Sequence, residues 1–488
     1  MQVVADLQLH SKYSRAVSPQ MTIPNIGLWS ARKGIGLVAT GDWTHPLWIR
    51  EIQANLEETG NGLLKLKDSS ILLEYEKLVE PLFLLATEVS CIYSQGGKLR
   101  RVHVLIWVPT IASAEKIIEA MSRRGCKLGS DGRPIIGMTL IQISELVLSI
   151  ESKALLIPAH AWTPWFSVYG SLGGFNTIEE AFGPFAKNIY AVETGLSSNP
   201  SMNWRIKELD NRSILSFSDA HSGPKIGREA TVFEFPEERF SYESLYDAIK
   251  APVLFAHQPS TINHKSSIAY TLEFYPEEGK YHYTGHRNCG IKYDPAETVK
   301  KGIVCPVCHR NLTQGVMQRV EELAGRTEES LQLSVISYQL SDAGLPVNRL
   351  AGQPKTDELV TENRQQKTDN GIRMIGSKTF PNKPPFAMLV PLQEIIAEAI
   401  GSPVQSTKTQ SLYLNLIEKL GGEFEVLLRA TDSEIAGLSS AKIAEGVMKV
   451  RSGDIVIDPG YDGVFGVVKI WGEKISKEDK KDQMALFG

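Results

Sequence analysis

The chain has 488 residues and a formal net charge of −4. The length predicts two to four domains, and the charge excludes a uniformly basic nucleic-acid coat protein while leaving room for a local basic groove. Its 42% hydrophobic and 22% charged residues exclude a fibrous, collagen-like or fully disordered chain.

No apolar run approaches the roughly eighteen residues that span a bilayer, so no membrane association is expected. The segment Met1–Asp6 lacks a basic-then-apolar leader pattern. Three of the five cysteines lie near a histidine, which fits a metal site in a reducing, cytoplasmic compartment better than a disulfide framework. Roughly the first 230 residues repeat one rhythm: a short apolar run, a metal-type polar residue, then a longer segment. Seven strands are predicted, at Val3–His10, Ile35–Thr40, Leu82–Thr87, Val102–Trp107, Ala154–Ala159, Ile189–Glu193 and Ile214–Asp219. Amphipathic segments such as Ala112–Arg124 separate several of them. The link Ser94-Gln95-Gly96-Gly97-Lys98 is too short for a helical crossover and predicts a hairpin, so the repeat is imperfect.

Beyond Pro252 the pattern changes. Tyr270–Tyr275 and Lys280–Tyr283, with Pro276-Glu277-Glu278-Gly279 between them, predict a hairpin. A Cys/His cluster and a helix over Val316–Ala324 follow. Residues 346–382 are polar, with little periodicity, and predict a mobile linker. Leu392, Ile395, Ile396, Ala399 and Ile400 fall on one helical face. Thr431 and Glu434 have capping-box spacing, and Asp454–Ile457 with Val464–Ile470 predicts a last hairpin. The expected organisation is a first domain over 1–250, a metal module over 251–330, an extension and linker over 331–382, a helical domain with a hairpin over 383–475, and a tail over 476–488.

Asp6, Gln8 and His10 alternate along the first strand and so share a face. The other strands lead to Asp42 and His45, Glu88, His103, His160, Glu193, and Asp219 with His221. A parallel barrel gathers its strand ends at one mouth. Imidazoles and carboxylates converging there suit Zn²⁺, Mn²⁺ or iron, and this many ligands imply more than one ion. Ions so paired clamp the attacking water and leaving oxygen of a phosphoester. Glu193 and Asp219, at successive strand ends, are the candidate catalytic carboxylates.

These motifs, from Asp6-Leu7-Gln8-Leu9-His10-Ser11 and Thr40-Gly41-Asp42-Trp43-Thr44-His45 to Ser218-Asp219-Ala220-His221, resemble those of the PHP (polymerase and histidinol phosphatase) superfamily. The resemblance implies an α/β fold, a distorted seven-stranded β/α barrel, with two or three divalent ions (Zn²⁺, Mn²⁺ or Mg²⁺) in a phosphoesterase centre. The family usually carries His-x-His where this chain has Gln8, and an amide oxygen is a poorer ligand for zinc-like ions than imidazole.

His286-x-x-Cys289 and Cys305-Pro306-Val307-Cys308 supply four ligands at zinc-finger spacing, with His282 or His309 as alternatives to His286. Four protein ligands leave no open position, so this zinc is expected to be structural. A PHP barrel, this knuckle, the run Leu312–Ala324, Lys383-Pro384-Pro385-Phe386 and Pro391–Ala399 together make the chain similar to the endonuclease Q family over nearly its whole length. That resemblance implies a zinc-binding module and a mainly helical C-terminal domain after the barrel. It also implies a DNA-repair nuclease that nicks 5′ of deaminated bases (uracil, hypoxanthine, xanthine) or abasic sites. An extruded base needs a pocket, for which Trp43, Trp48, Trp162, Trp165, Phe166 and Tyr169 are candidates. Arg100, Arg101, Lys300, Lys301, Arg310 and Arg319 are candidate phosphate contacts.

The last residues follow an all-charged run, Lys477–Asp482. Gln483, Leu486 and Phe487 resemble the bacterial sliding-clamp-binding motif, so a clamp is an expected partner beside damaged DNA. Competing readings are a phosphatase for small phosphate monoesters and a non-enzymatic, clamp-recruited DNA-binding scaffold.

Overall fold

The computed structural model describes residues 1–72, 78–236, 240–255, 266–337 and 371–472. Five strands begin the chain's main framework: β1 (Gln2–Asp6), β2 (Leu37–Ala39), β3 (Leu82–Gln95), β4 (Lys98–Val108) and β5 (Leu155–Pro158). β1, β2 and β3 run parallel; β3 and β4 form the expected hairpin, and β5 returns antiparallel to β4. β6 (Ala191–Glu193) and β7 (Ser213–Leu215) are a separate parallel pair. Hydrogen bonds tie this pair and its exits to their neighbours: Ala161 N donates to Glu193 O at 2.9 Å, and His10 N to Ala220 O at 3.0 Å. The exits of β1, β2, β5, β6 and β7 therefore converge.

The buried strands read as nearly continuous apolar runs, as strands covered on both faces must. Val3 and Val4 of β1 are fully buried. The helix Ile23–Lys33 is bounded by proline in its first turn and by Gly34 at φ 83° after its last.

Two expectations are corrected beyond residue 250. Tyr270–Tyr275 does not pair with Lys280–Tyr283. Instead β9 (Ser267–Glu273) lies antiparallel to β8 (Ala230–Glu234) and parallel to β12 (Phe386–Met388). Its buried Tyr270 and Leu272 find apolar neighbours in the main sheet, which a two-stranded hairpin does not offer. The linker expected over 346–382 is also wrong over its last third. β11 (Arg373–Ser377) pairs with β10 (Leu333–Ser337) and with β12. Residues 346–370 of that linker lie outside the described residues, as does the tail over 476–488.

The C-terminal region is helical at Leu392–Ile400, Thr407–Leu420, Glu423–Leu428, Asp432–Leu438 and Ala441–Ser452. The Thr431–Glu434 capping box is formed in full. These helices share one core with the sheet. A buried ion pair, Lys33 Nζ to Glu423 Oε2 at 2.6 Å, joins the two, and Trp29 stacks on Tyr413 beside it. The Cys/His segment has only its own small cluster of Tyr293, Cys305 and Leu312. The final hairpin, Val456–Asp458 with Val467–Lys469, belongs beside that segment. Asp462 accepts from Arg287 N at 2.7 Å and Thr313 Oγ1 at 2.5 Å, and Lys292 reaches Asp458 at 2.7 Å. Among the described residues no helix is long and apolar enough to cross a membrane.

Candidate metal centre

Two groups of metal-type side chains stand where the strand exits converge. His10, Asp219 and His221 form one; Glu88, His103 and His160 form the other. In each, one ligand atom per residue lies within 4.8 Å of the rest. The groups touch: His10 Nε2 is 3.2 Å from Glu88 Oε2 and 3.2 Å from Asp219 Oδ1. Glu88 Oε1 faces His103 Nδ1 directly and lies 3.4 Å from His160 Nε2, while His103 Nδ1 is 3.1 Å from that same nitrogen. Asp219 and His221 are partly exposed and mark the open side.

The remaining expected ligands surround these groups. Asp42 Oδ1 takes His10 Nδ1 at 3.0 Å, which leaves Nε2 to face inward. Its Oδ2 accepts from Ser11 N, Ser11 Oγ and Ser14 Oγ at 2.6, 2.7 and 2.8 Å. This is the carboxylate–histidine arrangement that orients metal-binding imidazoles. Gln8 Nε2 donates to Glu88 Oε2 at 2.9 Å. Glu193 Oε2 accepts from His160 N at 2.8 Å. His45, like Gln8, Asp42 and Glu193, belongs to neither group; it stacks on Tyr13 with ring centroids 4.4 Å apart. Asp6 is structural: it accepts from Ser218 N, Ser218 Oγ and Gly227 N and so ties β1 to the segment carrying Asp219.

Local backbone conformation delivers these side chains. Asp42, His160 and Asp219 have φ of 45°, 30° and 48°, a region non-glycine residues rarely occupy and one that clusters at functional sites. Gly195 lets the chain after Glu193 pass close to His160; a Cβ there would sit 2.2 Å from the His160 Cβ.

The electrostatics follow from burial and mutual contact. Burial works against charge on His10, yet Asp42, Asp219 and Glu88 hold its pKa well above the usual histidine value. Burial likewise opposes ionised Glu88, but His103 and Arg133 keep it well below the carboxylate range. His103 is pushed down to about 4 by burial despite Glu88. Glu193 goes the other way, raised well above its ordinary value by burial and by Asp219, Glu88 and Glu229. The donor set fits divalent ions: imidazole nitrogens and hard carboxylate oxygens converge, and Gln8 Oε1 and Glu193 Oε1 are buried with no hydrogen-bond partner among the described residues. Buried polar atoms are rarely left so.

His286, Cys289, Cys305 and Cys308 also come together within 4.8 Å, so His286, not His282 or His309, completes that quartet. His286 Nδ1 is 3.4 Å from Cys308 Sγ. Burial opposes the Cys305 thiolate, but the N–H groups of Cys308 and Val307 pull its pKa down to about 6.

The expected base pocket is partly corrected. Trp43, Trp48, Trp162 and Tyr169 are buried in the core, with Trp162 Nε1 bonded to Asn203 at 2.8 Å and Tyr169 Oη to Glu208 at 2.7 Å. Phe166 and Trp165 remain half-buried. The Phe166 ring lies 4.8 Å from that of His103, and Trp165 meets Tyr281 edge-on at 5.1 Å. Two expected phosphate contacts are occupied internally. Arg100 bonds Gly174 O and Glu180, and Arg319 bonds Tyr169 O, Phe175 O and Asn176. Sequence reasoning missed Arg133, whose Nη1 lies 3.6 Å from Glu88 Oε1 and 3.5 Å from His10 Nε2. A single arginine after Asp131-Gly132 in a turn carries no local signal.

Taken whole, the fold is similar to that of solved DNA endonucleases. The particular likeness is to endonuclease Q. The lesion-specific endonuclease PfuEndoQ from Pyrococcus furiosus superposes with a TM-score of 0.73 at 27% identity, covering 99% of both chains. An endonuclease Q complex with a 27-mer duplex substrate, carrying an abasic lesion at the active site, superposes at 0.71 and 27%, covering 98% of this chain and 99% of that one. Residues 391–454 match the MJ0043 C-terminal domain family. The protein YqxK of Bacillus subtilis is 26% identical over 90% of each chain. MJ0043 of Methanocaldococcus jannaschii is 29% identical over 320 residues, which are 65% of this chain and only 32% of MJ0043. The match thus spans about a third of that relative. The chain resembles endonuclease Q from end to end.

Proposed function

We propose that the chain is a metal-dependent DNA-repair endonuclease that hydrolyses the phosphodiester 5′ of deaminated bases (uracil, hypoxanthine, xanthine) or abasic sites. The observation that carries this reading is the pair of touching ligand groups on the open side of the converging strands. The likeness to endonuclease Q, including a complex with lesion DNA, supports the substrate class. We read the strand ring β1–β7 as the distorted seven-stranded barrel.

His10, Asp219 and His221 would hold one divalent ion, and Glu88, His103 and His160 another. Such ions, when bound, supply an activated water and neutralise charge on the phosphodiester. Asp42 fixes the tautomer and direction of His10 through Nδ1. Glu193 Oε1, buried and unpartnered, exchanges a proton with water or the leaving oxygen. Phe166, whose ring lies beside that of His103, and its chain neighbour Trp165 stack on the extruded nucleotide. His286, Cys289, Cys305 and Cys308 hold a structural zinc ion. Gln483, Leu486 and Phe487 lie outside the described residues; their sequence supports recruitment by a bacterial sliding clamp.

The test is incubation of the purified protein with Mg²⁺, Mn²⁺ or Zn²⁺ and labelled duplexes carrying uracil, hypoxanthine, an abasic site or no lesion. Incision 5′ of the lesion, abolished by chelation, is expected. Hydrolysis confined to small phosphate monoesters would replace this reading with the phosphatase one.

A further inference from the structure

Arg133 is the one non-histidine cation that touches both ligand groups among the described residues. Its Nη1 lies 3.5 Å from His10 Nε2 in one group and 3.6 Å from Glu88 Oε1 in the other. The side chain is 26% exposed, so it reaches the open side. Glu88, Asp219, Asp42 and Asp131 all face it.

The turn that presents it is fixed at both ends. Gly132 N donates to Tyr13 O at 3.1 Å, and Ser90 N donates to Pro134 O at 3.0 Å. Ile135 and Ile136 then pair with Ser90 and Cys91, two residues beyond Glu88. Arg133 N itself bonds Asp131 Oδ1 at 3.1 Å. The backbone passes so close to the His10–Asp42 pair that a Cβ on Gly132 would lie 2.3 Å from Asp42 Oδ2 and 2.4 Å from Ser14 Oγ. Only glycine fits there. The guanidinium therefore arrives at the seam on a built support.

A buried cation among carboxylates has a bland use, which is to balance their charge. Two features go beyond that use. The atoms it meets, His10 Nε2 and Glu88 Oε1, are donor atoms suited to metal, so they are weak claims on five N–H groups. The planar fork of arginine also matches two oxygens of one phosphate, a fit that lysine lacks.

We propose that Arg133 grips the non-bridging oxygens of the scissile phosphodiester at the seam between the two ligand groups. This rests on the reading of the site as a phosphodiester hydrolase. The grip tightens as negative charge builds on those oxygens, so it acts on turnover as well as on binding.

The experiment compares the full chain with Arg133→Lys and Arg133→Met. Four quantities are read: bound metal, melting temperature, kcat and KM for a lesion duplex, and the salt dependence of DNA affinity under chelation. Arg133→Met should lower kcat by about 10²–10³, with metal content and melting temperature unchanged. It should also flatten the slope of log Kd against log salt by about one phosphate contact. Arg133→Lys should recover part of the salt slope and less of kcat. Unchanged nicking, or a loss that tracks lost metal with an unaltered salt slope, would overturn the assignment. Bis(p-nitrophenyl) phosphate serves as a second diester. If the wild-type chain cleaves it but no lesion duplex, the DNA reading fails while the Arg133 comparison still stands or falls on that diester.

Discussion

Asp42 decides which nitrogen of His10 faces the ligand groups. With Asp42 Oδ1 on Nδ1, Nε2 is the donor left for a metal. Asp42→Asn tests this cleanly, because asparagine tolerates the left-handed backbone found there at φ 45°. The variant should fold normally and bind metal about 10–100-fold more weakly, with nicking reduced in step; metal titration checks it. Equal metal affinity in the variant would show that the carboxylate charge is idle. At this level the sequence was a good guide to which side chains converge and a poor one to their surroundings. Strand-end histidines and carboxylates announce themselves by type and spacing. Trp43, Trp162 and Tyr169 look like pocket aromatics in sequence, yet burial is decided by segments far away, such as Asn203 and Glu208.

The Cys/His segment and the final hairpin act as one element. The segment's own apolar cluster is only Tyr293, Cys305 and Leu312, too small to fold a module without help. An ion held by His286, Cys289, Cys305 and Cys308 would supply one kind of help, and Asp462 supplies the other. Cys305→Ser should lose one zinc per chain, measured by metal analysis, and loosen residues 280–325 to hydrogen exchange. Asp462→Gly keeps the backbone at ease, since Asp462 has φ 43°, and removes two hydrogen bonds. It should retain zinc, yield it faster to a chelator, and cost about 1–3 kcal/mol locally. The spacing of four ligands is a local pattern and was readable. The partnership with a hairpin some 149–175 residues later was not, because nothing in Val456–Lys469 names its neighbour. The misplaced pairing of Tyr270–Tyr275 has the same origin: alternation shows that a strand exists, not which edge it takes.

The C-terminal helices are fastened to the sheet by a buried charge. Lys33 and Glu423 are 2% and 3% exposed. Glu423 also accepts from Tyr413 Oη at 2.9 Å and caps Leu392 N at 3.0 Å. Glu423→Gln leaves the Lys33 ammonium buried without its counter-ion, and should cost about 3–5 kcal/mol, seen as a lower melting temperature. Pairing Lys33→Met with Glu423→Gln should recover most of the loss, since no charge is then left buried and the amide still accepts from Leu392 N and can bond Tyr413 Oη. Neither residue stands out in the sequence, where each is one of many surface-type charges. The helices, by contrast, were plain from periodicity and capping. The framework that joins them has a topological consequence. β10 and β11 lie side by side with Ser337 opposite Arg373, so the two ends of the intervening stretch are spatial neighbours. The sequence between Ser337 and Arg373 can therefore vary in length without moving either strand, and a chain cut between them should yield two fragments that co-purify through the paired strands.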